Sequence, residues 1–115
     1  MAKCECTLRN DFDTILNTVY TAILKGSSSA HLEASSDHAT GTVRCAVRVY
    51  ERYSMMGGNR VSLSLTVVGD GEEVFVSAIT AGGSQAVFFK VNTWGEESFL
   101  KFAVDALQRL AAATA

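Results

Sequence analysis

Cys4, Cys6, Cys45, His31 and His38 are the residues of this chain whose chemistry could hold a metal or supply a nucleophile and base. Cys4 and Cys6 lie two apart, so on a strand they share one face. A thiolate pair of that spacing suits a soft cation, with His31, His38 or Met55 as further ligands. Packing is the simpler account. Apolar alternation through Ala2, Cys4, Cys6 and Leu8 turns both thiols toward a core. An odd cysteine count without a CxxC spacing fits a reducing compartment, and the expected location is the cytoplasm. Neither histidine stands in a Ser/His/Asp or Cys/His context. The expectation is therefore a chain that is not an enzyme, with no catalytic residue, no metal and no cofactor.

Charge supplies the next candidates. Arg44, Arg48 and Arg52, with Tyr50 between them, would project from one side of a single strand as contacts for an anion. The reading preferred from sequence is a solvated sheet face on which Glu33 and nearby serines answer the arginines. Glu72-Glu73 flanks a tight turn and Glu96-Glu97 opens a helix, neither of which suggests acid-base work. The glycine pair Gly82-Gly83 lies between two expected strands, unlike a phosphate loop, which joins a strand to a helix. Gly95, at an expected helix start, is a further place for an anion. A net charge of -2 argues against nucleic acid as a partner. No apolar run approaches the ~18 residues of a membrane span, so no membrane partner is expected either.

The elements that must position these residues follow from periodicity. Residues 2–8 alternate as a strand. Phe12, Ile15, Leu16, Val19, Ala22 and Ile23 recur at helical spacing, with Asn10 or Asp11 as cap and Lys25-Gly26 as the stop. Strands follow through Ala30, Leu32 and Ala34, then through Val43, Cys45, Val47 and Val49 after the turn "DHATG", then through Val61, Leu63, Leu65 and Val67 after "MMGGN". Asp70-Gly71 is expected to be the centre of a two-residue turn pairing Val67 with Val74, Leu65 with Val76 and Leu63 with Ala78. "AGGS" would turn the chain once more, so that Val87, Phe89 and Val91 pair with Ala78, Val76 and Val74. Thr93 to Glu96 reads as a capping box for a last helix carrying Phe99, Phe102, Ala103, Ala106, Leu107 and Leu110. The expectation is one α+β domain over residues 1–115: an antiparallel sheet of about six strands with two helices on one face, in the order β-α-β-β-β-β-β-α.

That order, with a long last helix after a meander, resembles a cut-down helix-grip fold, the architecture of the START and Bet v 1-like ligand binders. The segment "GGSQAVFFKVNTWGEESFL", Gly82 to Leu100, looks like the signature of a small uncharacterised family of bacterial, Firmicutes-type proteins. The second resemblance implies a bacterial cytosolic protein of unknown function. The first implies a sheet curved around the last helix, with room for an apolar ligand.

Two functions are compatible with this architecture. Parity places Phe75, Ile79 and Phe88 on the sheet face away from the helices, with Tyr50 farther along, a patch that favours an interaction domain forming a homodimer. The alternative is an apolar small molecule held between the sheet and the last helix and lined by Leu63, Phe89, Trp94, Phe99 and Phe102.

Overall fold

A computed structural model of the chain describes residues 1–53, 60–82 and 89–114, of which 89–96 and 114 are described by backbone alone. The elements are β1 (Ala2–Arg9), α1 (Phe12–Gly26), β2 (His31–Thr40), β3 (Val43–Tyr53), β4 (Arg60–Asp70), β5 (Glu73–Gly82) and α2 (Phe89–Thr114). All strand pairings are antiparallel, and the five strands are ordered β1-β5-β4-β3-β2. The meander β2 to β5 is thus closed at its far edge by β1.

That closure accounts for the missing sixth strand. β1 pairs along β5 from Ala2↔Thr80 to Arg9↔Glu73. A hairpin returning along β5 would need the same backbone groups, and each edge can be used once. Phe89 and Val91, expected in that strand, belong instead to α2. The expected capping box, Thr93 to Glu96, therefore lies inside the helix rather than at its start. Val87, Phe88 and the "MMGGN" turn lie outside the described residues.

Both described hairpin turns are shifted by one residue from an X-Gly centre. Asp70 faces Glu73 and Thr40 faces Val43, so the central pairs are Gly71-Glu72 and Gly41-Thr42. The glycines have φ of 64° and 58°, and no non-glycine described residue has positive φ. A left-handed first position followed by an ordinary second one is the requirement of a type II′ turn, which prefers Gly first. The shift moves the β4–β5 register by two: Val67 faces Val76 and Gly69 faces Val74. Two residues is one full strand period, so every side chain keeps its expected face. Val67 and Val74 are both fully buried under the helices, as diagonal rather than direct neighbours.

The core lies between the sheet and two helices on one of its faces. β4 contributes Val61, Leu63, Leu65 and Val67, and β5 contributes Val74, Val76, Ala78 and Thr80, all buried. α1 buries Phe12, Ile15, Val19 and Ile23. Its start is fixed by Asp11, whose carboxylate accepts from the Thr14 amide at 3.0 Å. Gly26 ends the helix without adopting a left-handed conformation. Its value is proximity: a Cβ there would collide with the Phe102 ring of α2. α2 buries Phe99, Leu100, Ala103, Ala106 and Leu107.

Strands β2 and β3 correct two expectations. All ten residues of β2 are exposed, so Leu32 and Ala34 are not core residues. A register shift between them sends Leu32 toward the helix side and Ala34 to the other. On β3 the expected parity is reversed. Tyr50 faces Leu63 and Ala46 faces Val67, and both are fully buried on the helix side. Val43, Cys45, Val47 and Val49 point to the open face instead. The inversion works because Arg44 and Arg52 lay their planar cations on aromatic rings of the helices, so positions that look polar in sequence carry packing.

Candidate functional site

Neither helix covers the second sheet face. Reading across it from β1 to β2, one row is Thr7, Phe75, Val68, Cys45 and His38. The next is Glu5, Ser77, Thr66, Val47 and Ser36, and the third is Lys3, Ile79, Ser64, Val49 and Ala34. The middle of the face is thus β-branched or aromatic, interrupted by small hydroxyls. Phe75 is 39% exposed, and Ile79, Val68, Val47, Val49 and Cys45 are half-buried by their sheet neighbours alone.

Charges sit at the margins of this face. On the β1 side Lys3 lies 3.7 Å from Glu5, and the Ser77 hydroxyl donates to Glu5 at 3.0 Å. On the opposite side Arg60 donates to Glu51 at 3.0 Å, and a His31 ring nitrogen lies 2.6 Å from a Glu33 carboxylate oxygen. His31, Glu33 and Glu51 are close enough together to chelate, but Arg60 already neutralises Glu51.

Phe75 and Ile79 are where sequence placed them. Tyr50 is not: it is buried beneath α1, its ring 6.3 Å from that of Tyr20, and it has no part in the open face. Phe88 lies outside the described residues. Sequence reading missed Val43, Cys45, Val47, Val49 and Val68. The signal of the four valines was β-branched character, which fits either face, and the true parity rests on Ala46 and Tyr50 lying four apart between the arginines.

The arginines do not form a free cationic stripe. Arg44 makes two hydrogen bonds to Asp13 at 3.0 and 3.1 Å, and its guanidinium lies 4.2 Å from the Phe12 ring centre. That hydrogen bonding holds the Asp13 carboxyl below its ordinary range and raises Arg44. Arg48 donates to Asp37 at 2.9 Å and to the Ser36 and Val47 carbonyls. Arg52 donates to the Ser98 hydroxyl at 3.0 Å and lies 4.7 Å from the Phe99 ring centre, and burial pushes its pKa down. All three serve helix–sheet packing or the β2–β3 ribbon. Gly95 is likewise inside α2, where helix amides are bonded within the helix, so no anion site opens there.

The remaining candidates separate widely. Cys4 and Cys6 are half-buried free thiols on the helix side of β1, and burial, then the neighbouring Cys4, pushes the Cys6 pKa up. His31 and His38 are on β2, four strand spacings or about 19 Å across the sheet, so they cannot complete a cysteine metal site. Met55 lies outside the described residues. Leu63 and Phe99 are fully buried in the packed core, and Phe102 packs against it beside Gly26. Phe89 and Trp94 are on α2, described by backbone alone.

Together these features define an α+β domain whose antiparallel sheet is packed by helices on one face and covered by none of the described elements on the other. The chain belongs to a family of unknown function, DUF6054, whose sequence profile matches residues 1–111. No curated protein matches it. Among solved structures it is similar to TTHA0849 from Thermus thermophilus, at 11% identity over 99% of each chain with a TM-score of 0.38. No helix among the described residues is long and apolar enough to cross a membrane.

Proposed function

We propose that this domain is a non-enzymatic interaction module of the bacterial cytoplasm that pairs with a second copy of itself through the open sheet face. The observation that carries the reading is the band of Phe75, Val68, Cys45, Val47, Val49 and Ile79, which no described element of the chain covers. Five strands ~4.8 Å apart and about eight residues long at ~3.3 Å each present about 600 Å². Two such faces bury about 1,200 Å², the lower end of the range for a specific interface. Sheets stack face to face at ~10 Å, and β-branched rows interdigitate at that spacing. Acid and base occur together at both margins, so a two-fold related copy meets no single-sign field.

The test is sedimentation across a concentration series, with Val47→Lys as the variant. Val47 lies in the middle row, where lysine tolerates water in a monomer but not a second sheet. The wild type is expected to sediment as a dimer and the folded variant as a monomer. A wild-type monomer at every concentration defeats the reading.

A further inference from the structure

β2 is an outer strand of the sheet, and all ten of its residues are exposed. Thr40 closes the two-residue turn against Val43, so its backbone bonds inward to β3, and bonding alternates along the strand from there. The N–H and C=O groups of Ala39, Asp37 and Ser35 therefore point outward, where no described strand pairs with them. Long regular edges are normally shortened, broken by proline or guarded by lysine. β2 has neither proline nor lysine, and the register shift at Leu32/Ala34 leaves residues 34–40 regular. Leu32, 38% exposed, and Tyr20, 40% exposed, stand on the helix side of this edge and line a groove of about 280 Å³ between α1 and the β2–β3 ribbon. We propose that β2 accepts an extended peptide of another protein as a sixth strand, with an apolar side chain of that peptide seated on Leu32 and Tyr20.

The occupant follows from the edge and the groove together. Backbone groups at every second residue recognise an extended chain of any sequence, and a groove beside them selects one of its alternate side chains. The charges lining the groove, Asp13 and Arg48, are already bonded to Arg44 and Asp37, so a neutral apolar side chain suits it. A second copy of this chain fits less well. Leu32 is the only large apolar side chain of β2, and pairing it with its own copy sets His31 against Glu33, so only residues 31–33 of each strand overlap. A foreign strand can lie along residues 32–40 and still place a leucine or valine opposite Leu32. The outward groups lie in the plane of the sheet, so pairing through the open face leaves them free, and the two readings stand or fall separately.

The probe is a capped peptide of alternating threonine and valine with a central leucine and a lysine at each end. Titrated into the full chain and followed by amide chemical shifts, it is expected to saturate, with changes at Tyr20, Leu32, Ser35, Asp37 and Ala39. At saturation, hydrogen exchange at the Ser35, Asp37 and Ala39 amides is expected to slow about tenfold or more. Replacing the central leucine by serine is expected to lower affinity about tenfold. N-methylating the peptide backbone, which removes its donors, is expected to abolish binding. Leu32→Lys, at an exposed site outside the core, should weaken the peptide as the serine replacement does. Ser35→Pro removes an outward donor while sparing the β2–β3 ladder, and should weaken it too. Absence of saturable shifts, shifts confined to the open face, or equal affinity of the N-methylated peptide overturns the edge site. Equal affinity of the leucine and serine peptides, or unchanged affinity in folded Leu32→Lys, overturns the part given to the groove.

Discussion

Tyr50 shows how one side chain can be misplaced by its neighbours and still be explained by them. Between Arg48 and Arg52 it reads as part of a polar row, yet those arginines bond to Asp37 and Ser98 and leave Tyr50 to the core. Its buried hydroxyl has a stability signature. The phenol's pKa rises from 10.0 to about 12 on folding, so stability is fully present below pH 10 and falls as pH rises from there toward 12. Tyr50→Phe is expected to flatten that alkaline loss in urea denaturation measured from about pH 8 upward. At neutral pH the same variant should be neutral or up to ~1–2 kcal/mol more stable, because an unpaired buried hydroxyl is removed. A loss of several kcal/mol would show that the hydroxyl is paired in the free protein.

At the scale of elements, glycines act for two different reasons. Gly71 provides the positive φ at the first position of its turn. Gly71→Ala is expected to cost ~1–2 kcal/mol in chemical denaturation, because a side chain at the first position of a type II′ turn is strained. Gly26 provides space between α1 and α2. In an open helix alanine would gain ~1 kcal/mol over glycine, but the Phe102 ring occupies the position its Cβ would take. Gly26→Ala is therefore expected to destabilise by ~1–3 kcal/mol, with part of that recovered in Gly26→Ala/Phe102→Leu. A stabilised Gly26→Ala would refute the close helix contact. Both helices and the β4–β5 faces were legible in sequence because period 3.6 and period 2 differ plainly there. The end of the sheet was not, because alternation at Val87 to Val91 carries no record that β1 already fills the β5 edge.

For the whole molecule, the open face was legible in kind and only partly in membership. Phe75 and Ile79 follow from the parity of β5 next to the unmistakable core of β4. Val43, Cys45, Val47 and Val49 do not, because a strand carrying apolar residues on both faces and arginines on one gives two consistent registers. Pairing with β4 decides between them, and that pairing is a long-range fact. The central claim is that a second copy covers this face, and intermolecular contacts report it most directly. In a one-to-one mixture of carbon-13-labelled and unlabelled protein, an isotope-filtered nuclear Overhauser spectrum is predicted to show cross-peaks between chains at the methyls of Val47, Val49, Val68 and Ile79. No intermolecular cross-peaks, or cross-peaks confined to Leu32 on the helix side and its neighbours, would contradict it.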